Sequence, residues 1–160
     1  MWKIAILTSS DQGAAGKRED TSGRFLHESV RTLGTVVDHQ VLPDDEDGLA
    51  AQLRAWIAQG VDLILTTGGT GLGPRDNMPE ATRRVMTREI IGMSEALREE
   101  SRKHTPLGML SRNVCAQADD TLIINFPGSL KAVQELLPVV LPVLDHALSL
   151  IHGQTEHKNS

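Results

Sequence analysis

The sequence predicts an α/β fold, a three-layer sandwich with a mostly parallel central sheet and helices on both faces. Three observations predict it. Short apolar segments alternate along the chain with longer segments of helical period. Two of the short segments, VDLILTT at 61–67 and TLIINF at 121–126, are apolar on nearly every successive position, as strands buried on both faces are. The chain of 160 residues is also long enough to bury one full core without disulfide staples or a structural metal.

Lys3 to Thr8, with Ile4, Ile6 and Leu7, reads as the first strand, running into a long polar loop. Thr21 or Ser22 is placed to cap a helix carrying Leu26, Val30 and Leu33 on one face, and Gly34 stops it. Thr35 to Leu42, rich in Val, is the second strand. Leu49, Leu53, Trp56 and Ile57 share a face of the next helix, which ends at Gly60. Val61 to Thr67 follows as the third strand, then helices around Pro79–Met86 and Met93–Arg102. Thr121 to Phe126 is a further central strand. The last element, 129–151, keeps Val133, Leu137, Val140, Leu144 and Leu148 near one face, with kinks expected at Pro138 and Pro142. Residues 1–152 form one domain, and 153–160 a polar tail.

Composition removes several function classes. A net charge of −5 and four aromatic residues, with no Tyr, argue against nucleic-acid binding by phosphate neutralisation or base stacking. One cysteine, Cys115, allows neither an internal disulfide nor a cysteine-based zinc cage. The first residues lack the charged and apolar regions of a signal peptide, and no uninterrupted apolar run reaches the ~20 residues of a membrane helix. A soluble, cytoplasmic protein is expected, with no membrane partner. The six His residues are scattered without metal-ligand spacing. Met86, Met93 and Met109 read as core filler or as ligand contacts.

In an open parallel sheet, ligands bind at the carboxyl ends of the strands. That rule selects 9–23, 43–47, 68–77 and 127–131. The third segment lies in TTGGTGLGPRD, where Gly68, Gly69, Gly71 and Gly73 free backbone N–H groups to wrap an anion and Thr70 adds a hydroxyl. It matches neither GxxxxGK[ST] nor GxGxxG. A glycine-rich turn without a ligand stands as the alternative reading. Arg75 can pair with phosphate, and Asp76 beside a phosphate cradle makes sense with a cation between them. Asp44 and Asp45 bring further carboxylates to the same edge, which suggests Mg²⁺ held partly through nucleotide oxygens. Equally, the run Asp44–Asp47 can serve as the cap of the next helix.

TSSD at 8–11, GKREDTSG at 16–23, LPDDE at 42–46, TTGGTGLGPRD at 66–76, PEAT at 79–82, GMSEALR at 92–98, LSR at 110–112 and NFPGSLKAV at 125–133 occur in one order. In that order they resemble the MogA/MoaB family of molybdenum-cofactor biosynthesis proteins over nearly the whole chain. The resemblance implies a trimer-building or dimer-of-trimers α/β protein, with the molybdenum-insertion protein as a further partner. It implies that Mg²⁺-ATP and molybdopterin are bound, and that AMP is transferred to the pterin's terminal phosphate with release of pyrophosphate. A MoaB-like carrier that binds pterin or nucleotide without turnover is the alternative. Asp76 and Asp44 match the family's catalytic, metal-binding carboxylates. Ser9, Asp11, Gly69, Thr70 and Gly71 match its nucleotide site. Glu95, Ser111, Arg112, Pro127, Gly128, Ser129 and Lys131 fall around the pterin and its phosphate.

The chain departs from the family's common RDVTPEAT at Asn77 and Met78, and Ile91 replaces a common Pro before GMSE. Pro79 suits the first helical position, which makes residue 78 the N-cap, where Met offers no acceptor. On that reading Met78→Thr raises stability by roughly 1 kcal/mol. Asn77 as the cap is the alternative.

Overall fold

In the computed structural model, which describes residues 1–154, six strands form one sheet in the order β2-β1-β3-β6-β5-β4. The strands are β1 (Trp2–Ser9), β2 (Gly34–Leu42), β3 (Leu63–Thr67), β4 (Arg88–Glu89), β5 (Cys115–Ala118) and β6 (Thr121–Phe126). β2, β1, β3 and β6 run parallel, and β5 is antiparallel to both of its neighbours. The helices are α1 (Asp11–Ala14), α2 (Thr21–Ser29), α3 (Glu46–Ala58), α4 (Met78–Val85), α5 (Ile91–His104) and α6 (Leu130–Ile151), with a 3₁₀ turn at Pro106–Leu110. Most of the expected tail, residues 155–160, lies outside the described residues.

Successive strand residues point to opposite faces, so two cores form. Ile4, Ile6, Leu63, Leu65, Leu122, Ile124 and Phe126 pack on one face with Leu26 of α2, Leu97 of α5 and the buried stripe of α6. Ala5, Leu7, Ile64 and Ile123 pack on the other with Leu49, Leu53 and Trp56 of α3 and Met78 and Ala81 of α4. Connections from β1 run outward to β2 and then back past β1 to β3. The strand order therefore reverses at the carboxyl ends of β1 and β3, where a crevice opens in doubly wound sheets.

Several local expectations are corrected. The cap of α2 is Asp20, whose carboxylate accepts from Gly23 N, and neither Thr21 nor Ser22 serves. Met78 is the first residue inside α4 and is fully buried; Asn77 flanks the helix without a side-chain cap bond. The loop after β1 contains the helical turn α1, and the short strands β4 and β5 lie in stretches without a strand-like pattern. α6 runs for 22 residues with Pro138 and Pro142 inside it, both prolines exposed. By length and composition α6 could cross a membrane; here Val133, Leu136, Leu137, Val140, Leu144 and Leu148 bury one side of it in the core. Its far end is tied down by Trp2 Nε1, which donates to Asp145 at 2.8 Å, and by His152, 3.0 Å from Asp62.

Candidate functional site

A cleft of about 340 Å³ lies at the carboxyl ends of β1, β2, β3 and β6. Its walls include Ser9 and Ser10 after β1, Asp44 after β2, Gly68, Gly69 and Asp76 after β3, and Gly128 and Ser129 after β6. The tip of β3 is fixed sterically. Gly68 has φ +91°, and a Cβ there would lie 2.4 Å from the Ser9 carbonyl oxygen, so only glycine lets the two strand ends meet.

The acidic groups divide into two kinds. Asp11 is neutralised: Arg75 Nε and Nη2 donate to its two oxygens at 3.0 and 2.9 Å, and Asp44 N donates at 2.9 Å. The Arg75 hydrogen bonds, followed by the Asp44 N–H, hold the Asp11 carboxyl below the usual carboxylate range. Arg75, expected to be available to phosphate, is thus committed to Asp11. Glu19 is paired with Arg24 at 2.7 Å. Burial works against the charge of Asp20, but hydrogen bonds from His39, Thr8 and Gly23 N outweigh it, and its carboxyl also sits below the usual range.

Asp44 and Asp76 are the other kind. Asp44 accepts from Ser9 Oγ at 2.5 Å and from Asp11 N at 3.1 Å. Asp76 accepts from Gly73 N at 2.8 Å. Neither has a cationic side chain within ion-pair distance among the described residues, and both face the cleft. Among those residues no group of three or more His, Cys, Asp or Glu is arranged for a metal. Two hard carboxylate donors alone fit Mg²⁺, which keeps several waters and takes its remaining ligands from phosphate oxygens.

Arg112 holds the glycine-rich loop from behind. Its Nε donates to Gly71 O at 2.8 Å, its Nη2 to Asp76 O at 2.8 Å, its Nη1 pairs with Glu80, and its backbone N donates to Thr70 O. Ser111 and Pro127 border a second, small cavity of about 10 Å³ together with Arg98 and Asn113. Arg98 donates to Asn113 Oδ1 at 2.7 Å, whereas Asn113 Nδ2 is buried without a partner. Glu95 is exposed on α5, and Lys131 is exposed in the first turn of α6, 4.0 Å from Glu135. Thr8, Arg18 and Asp20 also line the main cleft and were not singled out by sequence. An Asp three residues before a Gly at a helix start was the available signal for Asp20.

Topology and cleft together define a doubly wound α/β protein with a crevice at its switch point. Residues 5–146 match the family described as a probable molybdopterin binding domain. The molybdopterin adenylyltransferase of Helicobacter pylori J99 is 35% identical over 98% of this chain and 93% of its own length. Gephyrin of Dictyostelium discoideum is 36% identical over 96% of this chain and 23% of its length. A crystal structure of the molybdopterin biosynthesis enzyme MoaB from Thermus thermophilus superposes with a TM-score of 0.89 at 44% identity, covering 96% of this chain and 98% of that one. The chain belongs to the MogA/MoaB family of molybdenum-cofactor biosynthesis proteins. It spans from 23% to 49% of the length of three longer curated relatives, gephyrin among them.

Proposed function

We propose that the protein is a molybdopterin adenylyltransferase that uses Mg²⁺ and ATP. The observation that carries this reading is the pair Asp44 and Asp76, two carboxylates without cationic partners facing one cleft beside the glycine-rich loop. A terminal phosphate oxygen of molybdopterin attacks the α-phosphorus of ATP, a new P–O bond forms, and the bond to the departing pyrophosphate breaks. Such chemistry calls for positioning and charge neutralisation more than for a side-chain nucleophile. Mg²⁺, when bound, neutralises phosphate charge, and Asp44 and Asp76 are the residues that would hold it.

The remaining residues support the same reading. Ser9 orients Asp44 through its hydroxyl, and Asp11 fixes both Asp44 N and Arg75, so the β1 and β2 ends and the glycine-rich loop are tied into one frame. On this reading Gly69, which lines the cleft, and the adjoining Thr70 and Gly71 make the nucleotide side of the site. Gly128 and Ser129, which line the cleft just before α6, together with Pro127 and Ser111 make the pterin side on the same reading. Arg112 acts from behind the loop; Glu95 and Lys131, exposed on α5 and α6 outside the cleft lining, enter this reading through the family resemblance alone.

Incubation with molybdopterin, ATP and Mg²⁺ tests the reading, with adenylylated pterin and pyrophosphate as the expected products. ATP binding without product would favour a carrier that holds its ligands without turnover. Assembly as a trimer or dimer of trimers, a cytoplasmic setting and cooperation with a molybdenum-insertion protein belong to the same proposal. Exposed Leu72, Ile91, Leu107, Met109 and Leu110 supply apolar surface for subunit contact. Light scattering showing a monomer at micromolar concentration would contradict that assembly.

A further inference from the structure

Asp20 lines the cleft, and behind it His39 and His27 continue a chain of titratable groups that adenylyl transfer does not use. His39 Nε2 lies 2.8 Å from Asp20 Oδ2, and His39 Nδ1 lies 3.2 Å from His27 Nδ1. Asp20 in turn accepts from Thr8 Oγ1 at 2.9 Å and from Gly23 N at 3.0 Å, so it joins β2, β1 and the first turn of α2. There is no slack in this corner. A Cβ at Gly23 would lie 2.3 Å from Asp20 Oδ2 and 2.5 Å from Thr8 Oγ1.

An ionised carboxylate only accepts, so His39 Nε2 carries the proton that faces Asp20. The contact between the two Nδ1 atoms then needs one N–H and one lone pair. It forms when both rings are neutral, with one Nδ1 protonated, and when either ring alone is a cation. With both rings charged, two N–H donors would meet head to head at 3.2 Å.

We propose that His27 and His39 are a one-proton clasp between α2 and β2. The clasp holds Asp20, Thr8 and the first turn of α2 in place along the cleft, and it opens when both rings are protonated. His27 and His39 are both half-buried, with ring centroids 5.4 Å apart. The charged groups that act on His39 are Asp20 and Asp38, while the nearest charges in sequence to His27, Arg24 and Glu28 on α2, are paired with Glu19 before the helix and Arg31 after it. Asp38 accepts from the backbone N of His39 and from Gln40 and Trp56, which leaves Asp20 as the carboxylate hydrogen-bonded to the His39 ring. On β1, Thr8 contributes an uncharged hydroxyl, and Asp11 of α1 is occupied by Arg75.

The open state binds one proton more than the singly charged clasped state and two more than the neutral one. Its population therefore rises as pH falls, by about tenfold per pH unit once the clasped state is singly charged. Hydrogen exchange at the Gly23 and Arg24 amides of the ligand-free chain, corrected for intrinsic rates, reads this directly from about pH 7.5 to 5. In the wild type, protection should fall with acid on that slope. His27→Phe keeps a ring without a facing N–H and should flatten the response. His39→Gln, which retains a donor for Asp20 without a facing Nδ1, should do the same and serves if the first variant folds poorly. A wild type with no acid response, or the same response in both variants, overturns the clasp.

A second measurement rests on the adenylyltransferase reading. Mg²⁺-ATP affinity, which falls in acid for any variant as the terminal phosphate takes up a proton, should fall more steeply in the wild type than in His27→Phe. If the wild type binds no ATP at any pH, that reading fails while the exchange result still decides the clasp.

Discussion

Replacement of Met78 by Thr separates a capping role from a packing role. Met78 is fully buried in the core formed with Leu7, Leu49, Ile64, Ala81 and Ile123, and its N–H donates to Gly69 O at 3.1 Å. Thr removes the equivalent of about two methylene-sized groups, worth ~1.6 kcal/mol at about 0.8 kcal/mol each. The unfilled space and a hydroxyl placed among apolar side chains add roughly 1–2 kcal/mol. The loss comes to about 3 kcal/mol, more than a capping bond could return at roughly 1 kcal/mol. In urea, with a slope of about 2 kcal/mol/M, the midpoint should fall by about 1.5 M. Met78→Leu, close in volume, should lose less than about 1.5 kcal/mol. A Met78→Thr midpoint that is unchanged or raised would show that position 78 caps the helix and would refute the packing account.

Asp76→Asn should abolish adenylylation with little change in melting temperature, since an Asn oxygen still accepts from Gly73 N but no longer attracts a divalent cation; retained turnover would remove Asp76 from the site. Asp44→Asn should act in the same direction, as Ser9 Oγ and Asp11 N keep an acceptor there. Gly68→Ala should cost at least about 2 kcal/mol in denaturant titration, because positive φ and a clash with the Ser9 carbonyl act together. Cys115, whose thiol is pushed up to about 11 by burial, should resist alkylation at mildly alkaline pH in the folded protein and react once urea exposes it. Fast alkylation of the native chain would show that β5 opens locally.

The central strands were legible because burial on both faces leaves a composition signal. Val61–Thr67 and Thr121–Phe126 are mostly apolar for that reason, and they lie side by side, Leu63 opposite Leu122 through Thr67 opposite Phe126, a register that uniform apolarity does not itself specify. β5 was hidden because its four residues, CAQA, have weak strand propensity; they are held by pairing with β6 and by Ser94 Oγ accepting from Cys115 N. β4, two residues long, exists only through β5. The misplacement of Met78 has a related cause. Pro79 marks the start of a helix to within one residue, and a one-residue shift moves a side chain from the cap into the core.

The charges of the site show the same division between local and tertiary information. Sequence brings Asp11, Asp44, Arg75 and Asp76 to one sheet edge, but it does not say which of them neutralise each other. The fold decides that by proximity: Arg75 reaches back across 64 positions to grip Asp11 with two nitrogens, and Asp11 in turn receives Asp44 N. Had Arg75 paired with Asp44 or Asp76 instead, the cleft would hold an internal ion pair and little net attraction for a divalent cation. Because Asp11 takes up the guanidinium, Asp44 and Asp76 remain without an ion-pair partner among the described residues, beside Gly68 and Gly69 in the cleft lining. The N–H groups of Gly68 and Gly73, expected to be free for an anion, are spent on Phe126 O and on Asp76. A charge distribution of that kind favours a ligand that brings both signs, as a polyphosphate with its metal ion does. Asp11 thus holds the arginine by both oxygens and leaves Asp44 and Asp76 with neutral hydrogen-bond donors as their partners.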